Sequence, residues 1–74
     1  MDDFLRKTLI KWLMDYYPES LATQEIDNAK IYSEQYVIVE YQNGVKDYLI
    51  IKEDGRVEHR GNSHVKNQEP PYYN

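Results

Sequence analysis

The chain has 74 residues, no cysteine, 14% aromatic content and a formal net charge of −4 from 9 basic and 13 acidic side chains. That length allows one domain with a small core, and the missing cysteine excludes a disulfide framework, a cysteine-ligated metal site and a thiol nucleophile. No apolar run approaches the ~20 residues that span a bilayer, and the opening Met1-Asp2-Asp3, with Arg6, Lys7 and Lys11 breaking up the apolar residues behind it, is wrong for a secretory signal, so the expectation is a cytoplasmic chain without membrane contact.

The first predicted element is a helix. Asp2 or Asp3 caps it, and either carboxylate suits a helix N-terminus. Leu5, Leu9, Trp12, Leu13 and Tyr16 fall on one face, Phe4, Ile10 and Tyr17 widen that stripe, and Arg6, Lys7, Lys11 and Asp15 hold the polar side. Pro18 ends the helix, because the residue before proline avoids helical angles. Residues 19–28 stay open between a short helical turn capped by Ser20 and an extended connector into Ile26.

The remainder reads as a meander of strands. Ala29 to Tyr32 forms the first and turns at Ser33-Glu34; Tyr36 to Tyr41 is β-branched and aromatic. Asn43-Gly44 is a hairpin signal, Val45 to Lys52 is the return strand, Asp54-Gly55 is a second turn, and Arg56 to Arg60 closes the sheet. The expected class is α+β: an N-terminal helix packed on a four-stranded antiparallel β-meander over residues 1–61, with a flexible tail over 62–74. Within that tail Pro70-Pro71-Tyr72-Tyr73 has the form of a WW-domain ligand, a match only four residues long.

Two-residue turns fix a register. Tyr41 then faces Lys46, Val39 faces Tyr48, Val37 faces Ile50, Ile50 faces His59 and Lys52 faces Val57. One sheet face carries Tyr32, Val37, Val39, Tyr41, Tyr48, Ile50 and Val57; the other carries Ala29, Ile31, Tyr36, Ile38, Leu49 and Ile51 with Glu40, Asp47, Glu58 and Arg60. Both faces are apolar, and one helix covers only one. This predicts a second interface through Ile31, Ile38, Leu49 and Ile51, filled by another copy in a homodimer, with the 19–28 connector as the competing cover. The same register sets Glu40 opposite Asp47, a like-charge pair that a nearby cation, a slipped register or a basic partner would relieve, and that otherwise splays into water at the hairpin end.

Searches for catalytic chemistry return little. His59 and His64 lack further nitrogen or sulfur ligands nearby in sequence, so no metal or other cofactor is expected. Ser63 with a histidine and an acid can be written as a triad, but without a rigid scaffold or an oxyanion hole. Gly44, Gly55 and Gly61 match no phosphate-cradling loop. The expectation is a non-enzymatic interaction protein.

Residues 21–54 hold seven acids against Lys30, Lys46 and Lys52, and no cluster of cations marks a phosphate-binding face. The predicted partner is therefore a protein with a basic surface, met by Glu34, Glu40, Asp47, Glu53 and Asp54 with Tyr36 and Tyr41. In its sharpest form the chain inhibits a DNA- or RNA-binding protein by imitating phosphate charge. The alternative is a small nucleic-acid-binding sheet, with Tyr36, Tyr41 and Tyr48 stacking on bases and Arg56, Arg60 and Lys66 on phosphates; the acidic middle argues against it. Short, acidic, tyrosine-rich and cysteine-free, the chain is similar in style to the small accessory proteins of phages and prophages.

Overall fold

The computed structural model describes residues 1–63. The proline-tyrosine motif, His64 and Lys66 lie outside the described residues.

Helix α1 (Asp3–Leu13) starts on Asp2, whose carboxylate accepts from the backbone N–H groups of Phe4 at 2.8 Å and Leu5 at 3.3 Å. Two of the four orphan donors of the first turn are thereby satisfied. The helix stops at Leu13, short of Pro18, and the N–H groups of Tyr16 and Tyr17 both bond the Leu13 carbonyl as the chain reverses. Pro18 bars Tyr17 from helical angles and instead opens the next element. The segment that sequence left undecided is helix α2 (Glu19–Asp27). Ser20 does not cap it: Pro18 holds the cap position with no side-chain bond, and Glu19 supplies the favourable negative charge in the first turn. Ala22 and Ile26, four residues apart, are its buried stripe. The Arg6 guanidinium, near the start of α1, grips the Asp27 carboxylate at the end of α2 through two bonds of 2.7 and 2.9 Å, so the helices run antiparallel.

Strands β1 (Lys30–Ser33), β2 (Val37–Glu40), β3 (Lys46–Ile51) and β4 (Val57–Asn62) form one antiparallel sheet in the order β1-β2-β3-β4. The fold class is thus as expected, with a helix pair in place of a single helix. The sheet also reaches further than the expected boundary at residue 61. Asn62 pairs with Asp47, and Ser63 exchanges bonds with the backbone of Lys46 in both directions.

The register differs from the expected one, and both hairpins differ for the same reason. Tyr41 N–H bonds the Val45 carbonyl and Gly44 N–H bonds the Tyr41 carbonyl; Lys52, Arg56 and Gly55 repeat the pattern. Each loop therefore has three residues, Gln42-Asn43-Gly44 and Glu53-Asp54-Gly55, with its glycine at φ 85° and 88°. This is a type I turn followed by a left-handed glycine, not a two-residue turn with positive φ at both centres. The Asn43 and Asp54 side chains fix it by accepting from the N–H two residues on, both at 3.0 Å.

One extra loop residue moves each pairing by one and turns β3 over. Val39 faces Asp47, Ile38 faces Tyr48, Val37 faces Leu49, Glu40 faces Lys46, Leu49 faces His59 and Ile51 faces Val57. The predicted faces were therefore mixed. The inner face carries Ile31, Val37, Val39, Tyr41, Val45, Leu49, Ile51 and Val57, all in or against the core with Leu9, Trp12, Leu13, Tyr17, Ala22 and Ile26. Phe4, expected on the buried stripe, is 56% exposed. Ile31, Leu49 and Ile51 belong to this core; of the predicted second interface, Ile38 alone points to the far side of the sheet.

Candidate functional site

The register that builds the core also buries a carboxylate. Asp47 sits on the inner face of β3 with no exposed surface. Its Oδ2 accepts from the Tyr41 hydroxyl at 2.6 Å, and its Oδ1 lies 2.7 Å from His59 Nε2 and 2.9 Å from Asn62 Nδ2. Trp12 of α1 lies over the His59 ring at 5.7 Å between centroids, tilted 30°. Burying a carboxyl group is costly unless partners surround it; here Tyr41, which follows β2, and His59 and Asn62 of β4 form its cage. No buried side-chain polar atom among the described residues lacks a partner.

An aspartate on a histidine invites a catalytic reading, but a triad of Ser63 with His59 does not assemble, and His64 lies outside the described residues. Ser63 pairs with Lys46, on the outer face, while His59 pairs with Leu49, on the inner face. The sheet therefore lies between them, and the Ser63 hydroxyl already accepts the Lys46 N–H at 2.8 Å. Among the described residues no cluster of three histidine, aspartate or glutamate side chains could hold a metal. The arrangement is a polar clamp that locks β2, β3 and β4 together.

The predicted partner-binding residues fall into three places. Asp47 and Tyr41 are removed from any surface, being buried with each other. Asp47 also faces Val39, not Glu40, so the expected like-charge pair does not exist; Glu40 faces Lys46 across β3 and Lys30 across β1. Tyr36 and Glu40 lie on the outer face, where the Tyr32 hydroxyl donates to Glu40 at 3.2 Å. Glu34, Glu53 and Asp54 come together at one end of the molecule, because the β1–β2 and β3–β4 turns are both at that end.

The N-terminus of α1 joins them there, a contribution that sequence spacing could not show. Asp2, Phe4, Ser33 and Glu34 line one depression, of 340 Å³. Phe4 also lines a groove of 630 Å³ with Lys7, Lys11, Trp12, Asp54 and Arg56. Asp2 and Glu34 on one side and Asp54 on the other therefore share hollows with the exposed Phe4 ring, with Asp3 and Glu53 next to them in sequence. Three of the five are partnered: Asp2 caps α1, Asp3 pairs with Lys7 at 3.1 Å and Asp54 with Arg56 at 2.8 Å. Both pairs are well exposed and hold little energy.

The outer face has its own order. Rows read across β1 to β4 as Lys30–Glu40–Lys46–Ser63, then Tyr32–Ile38–Tyr48–Gly61, then Glu34–Tyr36–Ile50–Glu58. Glu58 is held by Arg60 at 2.5 Å and Lys52 at 3.2 Å, and these hydrogen bonds lower its pKa from the ordinary 4.5 while Glu58, with Tyr36 nearby, raises that of Arg60. Of the tyrosines assigned to base stacking, Tyr36 and Tyr48 lie on this face and Tyr41 does not.

No helix among the described residues is long and apolar enough to cross a membrane. No family model matches the chain, and neither the curated proteins nor the solved structures contain a match to it.

Proposed function

We propose that this is a cytoplasmic, non-enzymatic interaction protein, working as a homodimer, that binds a basic surface on another protein through the acidic end of its sheet. One observation carries the reading. A helix N-terminus and two hairpin turns lie at one end, where Phe4, which is 56% exposed, shares one hollow with Asp2 and Glu34 and a second with Asp15 and Asp54 beside Lys7, Lys11 and Arg56. A large aromatic ring left in water by a chain with so small a core is the kind of anchor that interfaces bury, and surrounding carboxylates steer it toward cations. Spacing of acids along a rim is also how a protein would imitate phosphate charge and so inhibit a nucleic-acid-binding protein, in the manner of a phage accessory protein.

Capture of partners on the immobilised chain tests this. The expected partner is basic, is released as salt rises, is displaced by competing DNA, and is lost on Phe4→Ala or on combined Glu34→Lys, Glu53→Lys and Asp54→Lys. Equal capture by the charge-reversed variant would sink the reading.

A further inference from the structure

We propose that Asn43 is a site of spontaneous deamidation, and that its two products meet opposite fates: aspartate at position 43 is retained by the fold, whereas isoaspartate there loosens the β2–β3 hairpin. The site lies at the far end of the sheet from the acidic turns and goes beyond the partner-binding reading. The reaction consumes only water. The backbone nitrogen of Gly44 gives its proton to hydroxide and attacks Cγ of Asn43. A C–N bond forms, the bond from Cγ to Nδ2 breaks, and the side-chain nitrogen takes a proton from water and leaves as ammonia, so a cyclic imide closes. Water then opens the ring at either of its carbonyls. Opening at Cγ leaves aspartate in an unchanged main chain. Opening at the backbone carbonyl routes the main chain through Cβ and Cγ, which is isoaspartate and carries one extra backbone carbon.

Local structure selects Asn43 among the described asparagines, a residue type that is chemically labile. Asn43 and Gly44 are both exposed, and Gly44 has no side chain beside its nitrogen and open space where one would stand. The Val45 N–H donates to Asn43 Oδ1 at 3.0 Å, which draws electron density from Cγ, the carbon under attack. The Gly44 N–H is held by one bond of 2.9 Å to the Tyr41 carbonyl, at a loop tip that opens without unfolding the sheet. Asn62 is differently placed: it is half-buried, its Nδ2 donates to Asp47 at 2.9 Å, and the Ser63 side chain follows it. Asn28 is followed by Ala29, whose methyl group stands beside the attacking nitrogen.

The fold decides what each product does. The β3–β4 loop already carries aspartate at the corresponding position: Asp54 accepts from the Arg56 N–H at 3.0 Å, as Asn43 accepts from Val45, and Gly55 follows at φ 88° against 85° for Gly44. Aspartate at position 43 therefore keeps the acceptor that this turn uses and adds one negative charge. Isoaspartate lengthens a loop whose length sets the pairing of β2 with β3. The extra carbon lies between the Tyr41 N–H and the Val45 carbonyl, which bond at 2.9 Å to close the loop. Tyr41 also holds the buried Asp47 through its hydroxyl, so a loosened loop reaches the polar clamp. Asp54 itself reacts more slowly than Asn43, because an anionic carboxylate paired with Arg56 repels the attacking nitrogen.

Incubation of the folded full chain at mildly alkaline pH tests this, followed by ammonia release, intact mass and peptide mapping that separates aspartyl from isoaspartyl peptides. The expected result is exchange of the side-chain NH2 for OH at Asn43 ahead of Asn28 and Asn62, with loss of that product in Asn43→Gln, whose longer side chain closes its ring far more slowly. Urea unfolding of the two forms, separated by chromatography, should place the aspartyl form and the Asn43→Asp variant at the parent's midpoint and shift the isoaspartyl form to lower urea. A chain that leaves Asn43 intact while Asn28 or Asn62 converts, or that converts at none of them, overturns the inference. An isoaspartyl form with the parent's midpoint, or an Asn43→Asp variant that loses stability, overturns the assignment of fates.

Discussion

Asp47 shows how much one residue can depend on a neighbour's loop. In sequence it is one of seven acids between residues 21 and 54; in the fold it is fully buried and serves three other side chains. Asp47→Ala removes an acceptor from the Tyr41 hydroxyl, the Asn62 amide and the His59 ring together, and loss of such a buried partner costs about 3 kcal/mol. Asp47→Asn keeps the shape and part of the bonding and should cost less. Urea unfolding of both variants checks the order, and an Asp47→Ala protein as stable as the parent would show that the clamp contributes nothing. Gly44 and Gly55 are the other residue-scale constraint. Space is free around both, so only their positive φ matters. Alanine at either position should cost about 1 kcal/mol through strain alone, whereas Gly61→Ala, at ordinary φ, should be close to neutral as judged by thermal midpoints in dilute solution.

At the scale of elements, the helix pair and the β3–β4 hairpin each carry an exposed ion pair with a pH signature. The Arg6 guanidinium holds Asp27 below its ordinary 3.8, and Arg60 with Lys52 holds Glu58 below its ordinary 4.5. Both carboxylates have depressed folded pKa values, so their contribution is complete above those ordinary values and falls away as pH drops through the folded ones. Stability should therefore decline below about pH 4.5, as these carboxylates take up protons. Arg6→Gln and Arg60→Gln should flatten that decline, measured as thermal midpoint against pH. The partner guanidiniums, raised above an already high value, stay charged throughout and add no further slope.

Across the whole molecule, charge and apolar surface are sorted in a way composition conceals. The net charge of −4 suggests a uniformly acidic body, yet the outer face of the sheet holds Lys30, Lys46, Lys52 and Arg60 against Glu34, Glu40 and Glu58 around a tyrosine–isoleucine band. Asp2, Glu34 and Asp54 line the hollows at the turn end beside Phe4. Phe4→Ala should leave the unfolding free energy within about 0.5 kcal/mol of the parent's in a urea titration, since surface positions away from the core change stability little, while reducing partner capture strongly. A large loss of stability instead would assign the ring to the fold.

Much of this was legible in the residues. The stripe Leu9, Trp12, Leu13 predicts α1, the β-branched and aromatic runs predict the strands, and Asn43-Gly44 and Asp54-Gly55 mark both hairpins, because these signals are local and depend on spacing alone. Helix α2 was not legible: Pro18 offers no capping side chain, and its buried stripe is only Ala22 and Ile26, which become a stripe once α1 and the sheet lie beneath them. Nor was the identity of the two sheet faces. Asn-Gly and Asp-Gly serve two-residue and three-residue loops alike, and the choice rests on one hydrogen bond at each turn. Because side chains alternate with period two, that single residue decided whether Asp47 and Leu49 were interface or core. The tertiary structure settled it by burying Leu49 and surrounding Asp47 with three polar side chains, Tyr41 just past β2 and His59 and Asn62 of β4, an arrangement that only the assembled sheet can present.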